Sequence, residues 1–137
     1  MTLYDNDYVA WTCEQADILR SMPGNSGLDI EHLIEEIESL GRSAIADLSS
    51  AIRRVLHGLI RRSIDPSAVS VEDIYSARAD VIISADGGVW RHIDLDKVWR
   101  LARRTVDVDG AEKCPITIEH LISEDFDIER VVRLIRS

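Results

Sequence analysis

With 137 residues, 45% of them hydrophobic, the chain can close one core without metal or disulfide staples. Its 16 Lys and Arg against 25 Asp and Glu leave a net charge of -9, which repels phosphate backbones and anionic leaflets and sets nucleic acid and membrane aside as partners. Cys13 and Cys114 stand far apart with no CxxC between them, which excludes a disulfide framework and a thiolate metal site and fits a reducing cytoplasm.

Residues 1–7 are acidic and lead into no apolar targeting segment, and no run reaches the roughly 18 apolar residues of a membrane span. Asp5 reads as the N-cap of a first helix whose stripe is Tyr8, Trp11, Ile18, Leu19 and Met22, ended by Pro23, Gly24, Asn25, Ser26 and Gly27. Asp29 then caps the strongest signal in the chain. Ile30, Leu33, Ile34, Ile37, Gly41, Ala44, Ile45, Leu48, Ile52, Val55, Leu56 and Leu59 hold a helical period as far as Asp65 and Pro66. Ser70 with Asp73 resembles a capping box and opens a third helix through Val71, Ile74, Tyr75, Val81 and Ile82. Residues 81–93 carry two readings. The helical spacing runs through Ile82, while Asp86, Gly87 and Gly88 separate a β-branched run from Val89 to Ile93 as a hairpin turn would.

Asp94 caps a fourth helix with Leu95, Val98, Trp99, Ala102 and Val106 on its apolar face, and Asp107, Asp109 and Gly110 turn the chain out of it. Thr117 starts a short helix with Ile118, Leu121 and Ile122, and Asp127 caps another with Ile128, Val131, Val132 and Ile135. No repeat or linker divides these segments. The expectation is an all-α fold: one domain over residues 1–137, a small bundle of five or six helices around one long central helix. Its core is expected from Ile34, Ile37, Leu48, Ile52, Val55 and Leu56, with Trp11 and Trp99 packed on it.

Several strings stand out together: Tyr4 and Asp5 with Trp11, Gln15, Ala16, Leu19 and Arg20; Leu28 and Asp29; the run from Leu33 through Glu35, Glu36, Ile37, Glu38, Ser39, Leu40 and Gly41 to Ser43; His57; and Cys114 and Pro115 followed by Thr117, Glu119, Leu121, Glu124, Asp125 and Phe126. In order and spacing these resemble the bacterial family known as domain of unknown function 29, over residues 4–60 and 114–126. The family continues after its histidine into a Lys-Trp pair and a later Ser-Trp, whereas this chain reads Gly58, Leu59, Ile60, Arg61, Arg62 and is shorter in its middle. The resemblance implies a small helical fold along the whole chain and carries no assigned activity.

The residues that could do chemistry are few. His32 with Glu35 or Glu36 has the spacing to hold a metal from one helix face, but a di-iron bundle needs two Glu-x-x-His motifs on other helices and the chain has none, so no metal and no cofactor are expected. His57, beside Val55, Leu56 and Leu59, reads first as a hydrogen-bonded boundary residue and second as a base or ligand. The pairs Arg53 and Arg54, Arg61 and Arg62, Arg103 and Arg104 read as ordinary exposed arginines rather than an anion stripe. Of the two cysteines, Cys114 is expected to be the more exposed. There is no Walker loop, no His-Glu-x-x-His, no Gly-x-Ser-x-Gly and no complete EF-hand loop.

Two readings of function follow: a non-catalytic helical module of the bacterial cytoplasm that recognises a protein partner or itself, and an enzyme or small-ligand binder. In the second, Glu35, Glu36, Glu38, Ser39 and His57 are the binding residues, with Trp11 or Trp99 beside them. They are separated by whether the glutamates and His57 meet in one pocket. For self-association the expected contact is the small-residue strip Gly41, Ala44, Ala51 and Gly58, on which a second long helix would lie antiparallel as a homodimer. Asp29, Glu31, Glu35, Glu36 and Glu38 would then face Arg53, Arg54, Arg61 and Arg62.

Overall fold

Side-chain caps set where the helices begin. The computed structural model describes residues 2–24, 27–106 and 113–136. Among these, seven α-helices and one 3-10 stretch occur and no strand: α1 (Leu3–Asn6), α2 (Tyr8–Arg20), α3 (Ile30–Ile64), α4 (Val71–Ser84), the 3-10 stretch Asp86–His92, α5 (Leu95–Arg104), α6 (Ile118–Ile122) and α7 (Ile128–Arg136). Asp29, Ser70, Asp94 and Thr117 accept from the backbone N–H of His32, Asp73, Lys97 and His120, each capping its helix. Asp127 accepts from Glu129 N–H at 3.0 Å ahead of α7. The turn expected at Asp107, Asp109 and Gly110, and the breakers Asn25 and Ser26, lie outside the described residues.

The expected count of five or six helices is low for two local reasons. First, Asp5 does not cap the long first helix. Its carboxylate accepts from the Thr2 N–H at 3.4 Å and hydroxyl at 2.8 Å, closing the short α1, and Asp7 caps α2 by accepting from Ala10 N–H at 3.0 Å. Second, the segment that could have been a hairpin winds on as 3-10. Gly87 and Gly88 do take the left-handed conformation a hairpin turn would use, at φ 71° and 73°. The residues after them, however, are spent on other contacts: Val89 is buried, Arg91 donates to the Asn6 carbonyl, and His92 Nε2 meets Asp7 Oδ1 at 2.7 Å. These two polar contacts clip the α1–α2 junction to the bundle. Gly88 itself sits against the Asn6 carbonyl, where a Cβ would collide.

The core gathers around the C-terminal half of α3. Leu48, Ala51, Ile52, Val55, Leu56, Leu59 and Ile60 are buried there against Ile74 and Val81 of α4, Val98, Trp99 and Ala102 of α5, Leu121 of α6, and Ile128, Val131 and Val132 of α7. Of the expected core, Leu48, Ile52, Val55, Leu56 and Trp99 are in place. Ile34 and Ile37 are not: both lie in the N-terminal half of α3, away from the buried cluster, and remain half-buried.

The stripe expected on the first helix also differs. The buried face of α2 is Val9, Thr12 and Ala16, while Ile18 is exposed. Small residues win that face because the helices approach closely: a Cβ on Gly41 would stand 2.5 Å from Thr12 Oγ1. Trp11 instead joins Tyr4 and Tyr8 in an aromatic trio at the surface, edge-on to Tyr4 at a centroid distance of 4.9 Å and stacked on Tyr8 at 6.0 Å.

Three arginines fasten the periphery. Arg62 donates through Nε and Nη2 to Glu129 Oε1 at 2.9 and 2.8 Å, and through Nη1 to the carbonyls of Pro66 and Val69. Arg78 donates to the carbonyls of Leu121 and Ser123, both at 2.6 Å, and lies 4.5 Å over the Phe126 ring. Arg136 donates to the Ser63 carbonyl at 3.0 Å.

This division of α3 is measurable. Leu48→Ala, at a site with no exposure, should lower unfolding stability by about 2 to 5 kcal/mol in denaturant titration. Ile37→Ala, on the half-buried stretch, should cost less than half as much; equal costs would place the core evenly along the helix.

Candidate functional site

The structure distributes the predicted binding residues over two places on α3. Glu35 and Glu36 are exposed, and Glu38 and Ser39 are half-buried. Glu38 Oε1 accepts from Arg20 Nη2 at 2.6 Å, and Arg20 Nη1 holds Asp17 at 2.8 Å, so this glutamate is an α2–α3 tie. The Glu38 and Asp17 carboxylates raise the Arg20 guanidinium above its ordinary range. His57 lies roughly 30 Å further along the helix at 1.5 Å per residue. One pocket holding Glu35, Glu36, Glu38 and His57 together is therefore not formed. His32 turns away from the glutamates to its own cap, Nδ1 meeting Asp29 Oδ2 at 2.6 Å, and no group of three potential metal ligands occurs among the described residues.

The small-residue strip is covered by the chain's own helices. Gly41 meets Thr12, Gly58 meets Ile74 with a would-be Cβ contact of 3.1 Å, Ala51 has no exposure, and Ala44 is half-buried against the core. The basic end is engaged as well, Arg54 pairing with Asp80 at 3.2 Å and Arg62 with Glu129 at 2.8 Å. A second α3 thus has no open strip of these four residues to lie on.

Around His57 the two neighbouring helices leave a groove of about 370 Å³. Arg54, His57 and Arg61, spaced to share one face of α3, look across at Asp73, Ser76 and Asp80 of α4, with Gly58, Val69, Ile74 and Ala77 as the apolar part of the lining. His57 Nδ1 is 2.7 Å from Thr105 Oγ1, just past the end of α5. A hydroxyl beside an imidazole is half of a nucleophile–base pair, yet the direction is wrong for that chemistry. Thr105 gives its single hydroxyl proton to the Ala102 carbonyl at 2.6 Å, so it accepts from His57 Nδ1–H. The imidazole is fixed as the Nδ1–H tautomer, and Nε2 is left as the basic nitrogen with no partner among the described residues. Burial, then the nearby guanidinium groups of Arg61 and Arg53, hold His57 below the ordinary histidine range.

Thr105, Ser76 and Asp80 carry no signal in the sequence, and Asp73 reads there only as a helix cap. Thr105 lies 48 residues from the ring it orients, and no short-range pattern links them. The cysteines reverse the expected order: Cys13 is exposed and Cys114 half-buried. Cys114 is held inward by its N–H donating to Asp96 Oδ1 at 2.8 Å, and burial pushes its thiol up to about 11.

The family described as domain of unknown function DUF29 matches residues 3–84, which takes in α1 to α4 and with them the arm carrying Glu35 and both walls of the groove. A crystal structure of an alpha-helical protein of unknown function from Rhodospirillum rubrum is similar over its length, at 25% identity and a TM-score of 0.75, with 97% of each chain covered. No curated protein matches the chain.

Two histidines give the stability profile opposite limbs. Asp29, first through its hydrogen bond and then through its charge, raises His32 above 6.5, so that contribution is complete below pH 6.5 and is lost as pH rises through the folded value. His57 is depressed below 6.5; its contribution is complete above pH 6.5 and is lost as pH falls toward the folded value, because the unfolded chain takes up the proton first. Denaturation across this range should show stability falling on both sides of about pH 6.5. Asp29→Asn should flatten the alkaline limb alone and His57→Gln the acid limb alone.

Proposed function

The chain belongs to the family described as domain of unknown function DUF29, and on that premise we propose that it is a non-catalytic helical interaction module of the bacterial cytoplasm that receives a basic amphipathic helix from a partner protein. The observation that carries this reading is the surface of α3 ahead of Gly41. Leu33 and Leu40 are 37% and 50% exposed, and their spacing of seven residues stacks them on one line with half-buried Ile37 between. Glu36, and beyond Gly41 Asp47, both exposed, follow the adjacent line of the same helix, headed by the cap Asp29, which is paired with His32. An apolar line beside an acidic one fits a partner helix with leucine-like anchors and a lysine or arginine flank.

A second identical copy is the weaker occupant, since an antiparallel mate centred between Leu33 and Leu40 would bring Glu36 against Glu36. The cytoplasmic assignment is supported by two free cysteines and by the fact that no described helix is long and apolar enough to cross a membrane. The non-catalytic reading is supported by the wide separation of the glutamates from His57 and by the direction of the Thr105 hydrogen bond.

A labelled synthetic helix with leucine at the a and d positions and lysine flanks should bind at micromolar concentration by fluorescence anisotropy, more weakly as salt rises. Leu33→Glu with Leu40→Glu should weaken it by roughly tenfold or more, given about 1.5 to 3 kcal/mol for each buried leucine. Equal binding of a glutamate-flanked helix would refute the basic partner, and sedimentation equilibrium showing a dimer broken by the same two changes would assign the face to a second copy.

A further inference from the structure

The α3–α4 groove poses a separate question, because its two walls carry opposite charges of which one pair meets and one does not. Arg54 is neutralised by Asp80 at 3.2 Å. That leaves Arg61 on one wall and Asp73 on the other, and neither has an ion-pair partner within 4.0 Å among the described residues. A simple anion entering here would pair with Arg61 in the field of Asp73, and a simple cation would meet the reverse. A molecule bearing both signs can answer both walls at once.

We propose that the groove is a binding site for a free aliphatic α-amino acid, its carboxylate on Arg61 and its ammonium on Asp73. The guanidinium offers the paired N–H groups that match a carboxylate. His57 lines the groove, and with its Nδ1 engaged by Thr105 it has Nε2 left as an acceptor for one ammonium proton. The Ser76 hydroxyl lines the same space, and the half-buried Val69 and Ala77 provide apolar surface for an aliphatic side chain. Gly58 lets α4 pack this close to α3, since Ile74 already stands 3.1 Å from where its Cβ would be. About 370 Å³ accommodates such a ligand with room for water. Both charged residues are on the exposed side of the molecule, so solvent screens each contact and the site suits a metabolite sensed at high intracellular concentration.

The test is a two-dimensional NMR titration of the isotope-labelled full chain with L-leucine, N-acetyl-leucine and leucinamide, reading the His57 ring and the amides of α3 and α4. Leucine should shift these signals saturably. Acetyl-leucine, which lacks the cation, and leucinamide, which lacks the anion, should each bind about tenfold more weakly, as should Arg61→Gln and Asp73→Asn, since each of these changes removes one charge-assisted hydrogen bond. Ser76→Leu, an exposed change that fills the groove, should abolish the shifts while signals from α5 and α7 stay in place. No saturable shift with leucine, acetyl-leucine binding as well as leucine, leucinamide binding as well as leucine, or leucine shifts that survive Arg61→Gln would each overturn the proposal.

Discussion

A helix of 35 residues is roughly 52 Å long, longer than the width of the core that this chain can assemble, and the rest of the fold is arranged around that mismatch. The later helices supply enough apolar surface to bury α3 from Leu48 to Ile60. Ahead of that point α2 lies alongside, close enough for Gly41 to face Thr12, where a Cβ would not fit. The result is an uncovered side, where Leu33 and Leu40 meet solvent. An exposed apolar line thus follows from the length of one helix and the limited supply of neighbours.

Charge is partitioned along the same rod. The acidic residues at the start of α3 and the arginines at its end agree with the helix dipole, and a reading based on the dipole alone would leave both groups to solvent. The structure uses them unequally. Glu38, Arg54 and Arg62 close contacts to α2, α4 and α7, whereas Glu35, Glu36 and Arg61 remain outward. The positions that matter are those whose neighbours on other helices do not answer them.

Much of this architecture is legible in the sequence because it depends on short-range rules. Caps at Asp29, Ser70, Asp94 and Thr117 and the 3.6-residue apolar period locate most helices within a residue or two. The errors come from contacts between distant segments. Asp7, which caps α2 in place of the expected Asp5, is also held by His92, 85 residues away. Gly87 and Gly88 have the turn chemistry of a hairpin, but the side chains after them are claimed by the α1–α2 junction. Ile34 and Ile37 keep the period of a core helix without a core beside them, since periodicity reports which face is apolar and not whether anything covers it. The same limit governs the site: His57 was visible as a candidate, while Thr105 and the α4 wall became its neighbours only through folding.

The guanidinium of Arg62 bears on how the chain folds as it is made. It ties the turn between α3 and α4, through Pro66 and Val69, to a carboxylate synthesised 67 residues later. When α3 and α4 have left the ribosome, Gly58 can already seat Ile74 and the hairpin can form from local contacts. The half of α3 that will receive Val131 and Val132 is still bare at that stage, and Arg62 has carbonyls but no counter-charge. If α3 and α4 pair as they are made, their apolar flank stays exposed until α7 arrives to cover it.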